Sequence, residues 1–140
     1  MNIWRKTITA DDLNKRCKDS LSDHLGIVFT EVGENYLMAT MPVNAKTRQP
    51  MDIMHGGASA ALAETVGSAA GNYCVDESKI CVGLSLNTNH LKMATKGIVT
   101  AKATPIHLGK KTQVWTIPIF NEKEIIISMT TLTLAVIEHP

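Results

Sequence analysis

The pattern of apolar and polar positions divides the chain into one unusual helix and a set of strands. From Gly57 to about Val75 small or apolar residues occupy every side of a helical projection, and Glu64 is the only charged residue between His55 and Asp76. A helix that is apolar all round is expected to be buried. Ahead of it, Thr9 followed by Ala10-Asp11-Asp12-Leu13 predicts a capped short helix reaching about Asp19. Ile27 to Val32 and Tyr36 to Val43 read as strands joined by a Gly33-Glu34-Asn35 turn, and in the second Leu37, Ala39, Met41 and Val43 alternate with polar or outward residues. After the long helix, four long strands are predicted: Cys81 to Leu91, Ile98 to Ile106, Thr112 to Phe120 and Ile125 to Ile137. Lys96-Gly97, Leu108-Gly109 and Asn121-Glu122 mark their turns. A helix needing cover on all sides and six strands to supply it predict an α+β fold, a curled antiparallel sheet around a central helix, as one domain over residues 1–140. Pro118 conflicts with this, because proline cannot donate to a ladder and favours an edge or a bulge.

The candidate chemistry lies at that helix. A buried carboxylate is costly unless paired or protonated, and no Lys or Arg stands within a turn or two of Glu64. Desolvation would leave Glu64 poised as a base or nucleophile; the plainer reading puts it at a solvent-facing rim. Ser68, four residues on, shares its face, or is a helix serine bonded to a backbone carbonyl. Gln49 supplies a carboxamide donor, and His55 is either a catalytic group or a structural turn residue. Gly56 and Gly57 let another molecule approach the first helical amides, which have no internal partner and can hold a developing oxyanion.

These residues carry a resemblance. A Gln six residues before His-Gly, a Glu eight after that Gly and a Ser four after the Glu keep the intervals of the hotdog-fold thioesterases, in the 4-hydroxybenzoyl-CoA thioesterase (PaaI-like) branch. The likeness runs from Ile3-Trp4 through Ala39 to Val43, Val82-Gly-Leu, Asn87 to His90, Pro105 to Gly109 and Gln113-Val-Trp115 to the last strand. The chain looks closest to the bacterial 1,4-dihydroxy-2-naphthoyl-CoA hydrolase and enterobactin proofreading group. Met51-Asp52 departs from the Phe-Gly usual there. The resemblance implies the hotdog strand order and a homodimer, usually doubled to a homotetramer. It also implies hydrolysis of an acyl-CoA or acyl-carrier-protein thioester, with aromatic acyl groups favoured and neither metal nor cofactor needed. Gly56 and Gln49 would polarise the carbonyl, Glu64 would attack it or activate water, Ser68 would position that group, and His55 would orient the thioester or assist the thiol. Gly83, His90, Leu91, Lys92, Met93, His107, Leu108, Gly109, Lys110, Lys111 and Thr112 would border the CoA or pantetheine entrance. Parity puts His90 on one strand face with Val82, Leu84, Leu86 and Thr88, where a core histidine is the plainer reading. A hydratase or dehydratase is disfavoured because no acid–base histidine accompanies Glu64 on its helix. A non-catalytic acyl-CoA-binding module has no use for an unpaired buried carboxylate.

Geometry adds one expectation. Glu64 follows Gly56 by eight residues, roughly 12 Å along a helix, so one carbonyl cannot touch both in one chain. A second copy must supply one of them, in a two-fold dimer.

Composition narrows the partners. A length of 140 residues, 44% hydrophobic and 19% charged, is one globular domain. A net charge of +1 gives no general field for nucleic acid or anionic membrane. Five lysines between Lys92 and Lys111 form either a solvated strand face or a phosphate contact. There is no run of eighteen apolar residues and no signal-peptide core, and Cys17, Cys74 and Cys81 form no C-x-x-C pair. A cytoplasmic protein with reduced cysteines is expected.

Overall fold

Thr9 accepts a hydrogen bond from the Asp12 N–H and starts α1, Ala10–Cys17, in the computed structural model, which describes residues 1–140. A single turn not expected from the sequence follows as α2, Leu21–His24. The remaining elements are β1 (Val28–Val32), β2 (Leu37–Pro42), α3 (Gly56–Tyr73), β3 (Lys79–His90), β4 (Ile98–Leu108), β5 (Thr112–Phe120) and β6 (Ile126–Glu138). The strands form one sheet in the order β1-β2-β4-β5-β6-β3, every neighbouring pair antiparallel. One face of the sheet receives α3, as the hotdog arrangement requires. Leu37, Ala39, Met41, Val99, Ala101, Ala103, Trp115, Ile117, Ile119, Leu132 and Leu134 are fully buried against Leu62, Ala63, Val66 and Ala70 of the helix. Each large aliphatic side chain so buried contributes roughly 1.5–3 kcal/mol.

The helix is not covered all round. Ala58, Ser59, Leu62, Ala63, Val66, Gly67, Ala70 and Gly71 are buried, whereas Ala60, Ala61, Glu64, Thr65, Ser68, Ala69 and Asn72 are half-buried. Small residues make the helix apolar by type, but the sheet reaches only one side of it. Glu64 is therefore half-buried within one chain rather than enclosed.

Two strand expectations also change. Pro118 sits in β5, an interior strand, and the ladder to β4 skips it and Ile117, so the missing donor interrupts pairing without placing the strand at an edge. In β3 the register slips between Gly83 and Ser85. Leu86, Thr88 and His90 face the helix, but upstream of the slip it is Cys81 and Gly83 that do. Val82 and Leu84 are turned outward, 41% and 64% exposed. A bulge reverses side-chain parity, and alternation alone does not reveal it.

Polar groups, half-buried in Asn72 and fully buried in Gln113 and Trp115, tie the helix to the sheet. Asn72 donates to the Ser68 and Cys81 carbonyls and accepts from the Cys81 N–H at 2.8 Å. Trp115 Nε1 donates to Gln113 Oε1, and Gln113 Nε2 donates to the Gly71 carbonyl at 3.3 Å. Both fix the C-terminal half of α3 over β3 and β5. Asn72 was missed from sequence, although a lone carboxamide among small residues was a usable signal.

Candidate active site

The amides at the start of α3 are divided among distinct partners. The His55 ring caps the helix, its Nδ1 accepting from the Gly57 N–H at 2.8 Å. That assigns the ring proton of neutral His55 to Nε2, on an exposed side chain. The Ala58 and Ser59 N–H groups both donate to the His55 carbonyl. The Gly56 N–H is left without a partner, at the positive end of an 18-residue helix. His55 thus has a structural duty as the cap, and Gly56 presents the free donor.

Gln49 is held by a tight turn just before. Its N–H donates to the Ile53 carbonyl at 2.8 Å, its carbonyl accepts from Asp52 at 3.0 Å, and its side-chain oxygen accepts from the Met51 N–H. The carboxamide NH2 remains available as a donor. Asp52 has φ +61°, in the left-handed region where glycine is easiest. That accounts for how Asp replaces Gly at this point: the turn is kept, and Asp is among the side chains that tolerate it.

Glu64 projects from the half-covered face of α3 toward β3. A Cβ placed on Gly83 would stand 2.2 Å from Glu64 Oε2, and one on Gly56 would stand 2.9 Å from His90 Nε2. Glycine at these two points lets the carboxylate and the imidazole lie directly on backbone. Neither ion pair in the chain involves Glu64. Ser68 is half-buried one turn farther along. Thiol nucleophiles are poorly suited here, since burial pushes Cys74 up to about 12 and Cys81 up to about 11.

A cleft of about 640 Å³ opens at the N-terminal end of α3, walled by Ile53, Met54, Ala94 and Ile127 with Gln49, Gly56, Ser59 and His90. Leu91, Lys92 and Met93 form its exposed rim. His90 is exposed there rather than a core residue. The segment His107, Leu108, Gly109, Lys110, Lys111 and Thr112 makes the β4–β5 hairpin, closed by the Gly109 N–H on the Thr112 carbonyl at 2.9 Å. Leu108, Gly109 and Lys110 line a different cleft, with Cys74 and Val75 just beyond the other end of α3. One chain therefore brings Gln49, His55, Gly56 and His90 through Met93 together. It holds Glu64 and Ser68 farther along the helix, with Gly83 of β3 against Glu64, and Lys110 and Lys111 beyond the helix's far end.

The Thioesterase superfamily family model matches residues 51–127, which include Gly56, Glu64, Ser68, Gly83 and the hairpin. The 1,4-dihydroxy-2-naphthoyl-CoA hydrolase of Escherichia coli K12 is 42% identical over 96% of this chain and 99% of its own. A solved thioesterase from Haemophilus influenzae is 48% identical at TM-score 0.95, covering 97% of this chain and 95% of that one. A mutant thioesterase from Pseudomonas aeruginosa is 42% identical at TM-score 0.97, covering 99% and 100%. A family model matching more than half of this chain, together with relatives matched over nearly their full length, leaves one conclusion: the chain belongs to the thioesterase superfamily and is a thioester hydrolase.

Proposed function

We propose that the protein hydrolyses acyl-CoA thioesters, with aromatic acyl groups preferred, at two equivalent sites shared across a homodimer. The observation that carries this is the pairing of Glu64 with Gly83 and of Gly56 with His90 on one edge strand. β3 is a 12-residue edge with outward apolar Val82 and Leu84, a surface suited to pairing with another chain. If two copies pair antiparallel about a point between Leu86 and Asn87, Gly83 of one faces His90 of the other. The Gly83 backbone of one copy then stands one strand spacing, roughly 4.8 Å, from the His90 backbone of the other, and the Glu64 carboxylate resting on that Gly83 is brought to the Gly56 resting on that His90. The alternative within one chain is roughly 12 Å. The shorter path is the one a single thioester carbonyl can span.

In this arrangement the free Gly56 N–H and the Gln49 carboxamide donate to the carbonyl oxygen and stabilise it as negative charge develops. Glu64 from the other chain attacks the carbonyl carbon or takes a proton from the attacking water. Ser68 holds that water or the carboxylate. His55 Nε2–H faces outward, where it can meet the leaving sulfur. The hydrolase of Escherichia coli K12 named above acts on an aromatic CoA thioester, and this likeness supports the acyl preference. Pairing of dimers into a homotetramer, and delivery of the acyl group by a carrier protein instead of CoA, belong to the same reading.

Release of free thiol from a panel of aromatic and aliphatic acyl-CoAs, read with a thiol dye, tests the activity. Aromatic members should turn over fastest, and absence of thiol release from every member would overturn the proposal.

Gly83→Ala should retain the fold while displacing the Glu64 carboxylate, lowering kcat about tenfold with a smaller change in KM. A wild-type kcat would show that this contact does not position the reacting group. Lys92 and Lys110-Lys111 lie at opposite ends of α3 in one chain, but the same antiparallel β3 pairing carries Lys92 of one copy toward the hairpin of the other. Changing Lys92, Lys110 and Lys111 together to Ala should therefore raise KM for acyl-CoA and flatten its salt dependence, with little effect on kcat. An unchanged KM at low salt would return them to a solvated face.

A further inference from the structure

Ser128 Oγ is a buried side-chain oxygen without any hydrogen-bond partner, in a residue only 1% exposed. Such hydroxyls are normally bonded, so this one points to something that the chain itself does not provide. Its position in the sheet says where that partner would lie. Ser128 stands on β6 directly opposite His90 of β3. Opposed residues in an antiparallel ladder project on the same face with Cβ atoms about 5 Å apart. The next pair but one shows it, because the Thr88 and Thr130 hydroxyls meet at 2.8 Å. His90 lies on Gly56 and lines the cleft at the start of α3, so Ser128 faces the same side of the sheet, directly behind the lining residues His90 and Ile127. The register slips between Ile119 and Phe120 opposite this point, and Ile127 and Ser128 are both buried at the irregularity, with Ile127 lining the cleft. Ser59 of α3, 3% exposed, adds a second hydroxyl to the same lining.

We propose that Ser128, with Ser59 beside it, is a specificity-determining residue that hydrogen-bonds a neutral oxygen substituent of the acyl group. The proposal rests on the thioesterase reading, in which Gly56 holds the thioester carbonyl at this cleft. The walls are apolar and suit a ring or chain. Among Lys, Arg, Asp and Glu only Lys92 lines the cleft, exposed at the rim, and beside Ser128 stands the His90 imidazole, a hydrogen-bonding ring, so the floor fits a hydroxyl or ketone oxygen. A site that hydrogen-bonds a substrate hydroxyl rejects the analogue lacking it, because the buried group is then left unpaired.

The experiment compares kcat/KM for benzoyl-CoA and its three monohydroxybenzoyl-CoA isomers in the wild type, in Ser128→Ala and in Ser128→Cys. The wild type should favour at least one hydroxylated isomer over benzoyl-CoA by about tenfold, the scale of one well-made hydrogen bond. Ser128→Ala should bring that ratio near one and leave benzoyl-CoA hydrolysis within about twofold, without lowering the melting temperature, since it removes an unsatisfied group. Ser128→Cys keeps the side-chain shape with a weaker hydrogen-bonding group, so it should reduce the ratio too. Hydrolysis with no wild-type preference, or with a preference that both variants retain, overturns the inference while the thioesterase reading stands; a bound water would then be the serine's partner. No hydrolysis of any isomer, nor of the wider acyl-CoA panel, overturns the reading on which the inference rests and the inference with it.

Discussion

Glu64→Gln is expected to keep the fold and acyl-CoA binding while lowering turnover by at least ~10²-fold, the scale of lost acid–base catalysis. The residue sits half-buried on α3, free of any ion pair in its own chain, with an oxygen against the Gly83 backbone. Glutamine preserves that shape and removes both the proton-accepting capacity and the nucleophilic charge. Circular dichroism and direct binding of a non-hydrolysable acyl-CoA control for the fold. More than a tenth of wild-type activity in the variant would sink the assignment of Glu64 as the reacting carboxylate.

Mixing two inactive variants should restore activity if the site is shared. Glu64→Ala removes one half of the proposed site, and Gln49→Ala with His55→Ala removes the other. After unfolding, mixing and refolding, random pairing makes half of the dimers hybrid. Each hybrid has one doubly damaged site and one intact site, so roughly a quarter of wild-type activity should return. Because His55 caps α3 through the Gly57 N–H, Gln49→Ala alone serves as a second partner if the double variant refolds poorly. A site contained within one chain gives no recovery above the variants refolded separately.

Much of the candidate site was legible before the structure because it depends on local spacing. The His55-Gly56-Gly57 run ends a loop and begins a helix wherever that helix lies, and eight intervening residues separate Gly56 from Glu64 by a fixed rise. A free amide at the start of the helix and the face shared by Glu64 and Ser68 follow from such short-range geometry, whereas the His55 cap that takes the Gly57 N–H and leaves only Gly56 free was not read. The strands were legible for the same reason, since alternation marks them one at a time.

What could not be read depends on pairing between distant segments. The slip between Gly83 and Ser85 is defined only against β6, and it decides that Gly83 rather than Val82 or Leu84 meets the helix. The lysines close in sequence separate in space because the β4–β5 hairpin lies beyond one end of α3 while Lys92 lies at the other. Ser128 drew no notice as one hydroxyl in a β-rich stretch; its significance appears when His90 stands opposite it.

The sequence by itself determined the helix with its lone carboxylate, the order of six strands along the chain, and the distance that keeps Gly56 and Glu64 apart. Local propensity and the fixed rise of a helix require no knowledge of the rest of the molecule. Tertiary structure alone decided that the helix is covered on one side, that the long strand β3 stands at an edge of the sheet, and which backbone atoms Glu64 and His90 touch. Those outcomes depend on strand order and register, which are set by the packing of the whole sheet and by where a bulge moves every later side chain to the other face.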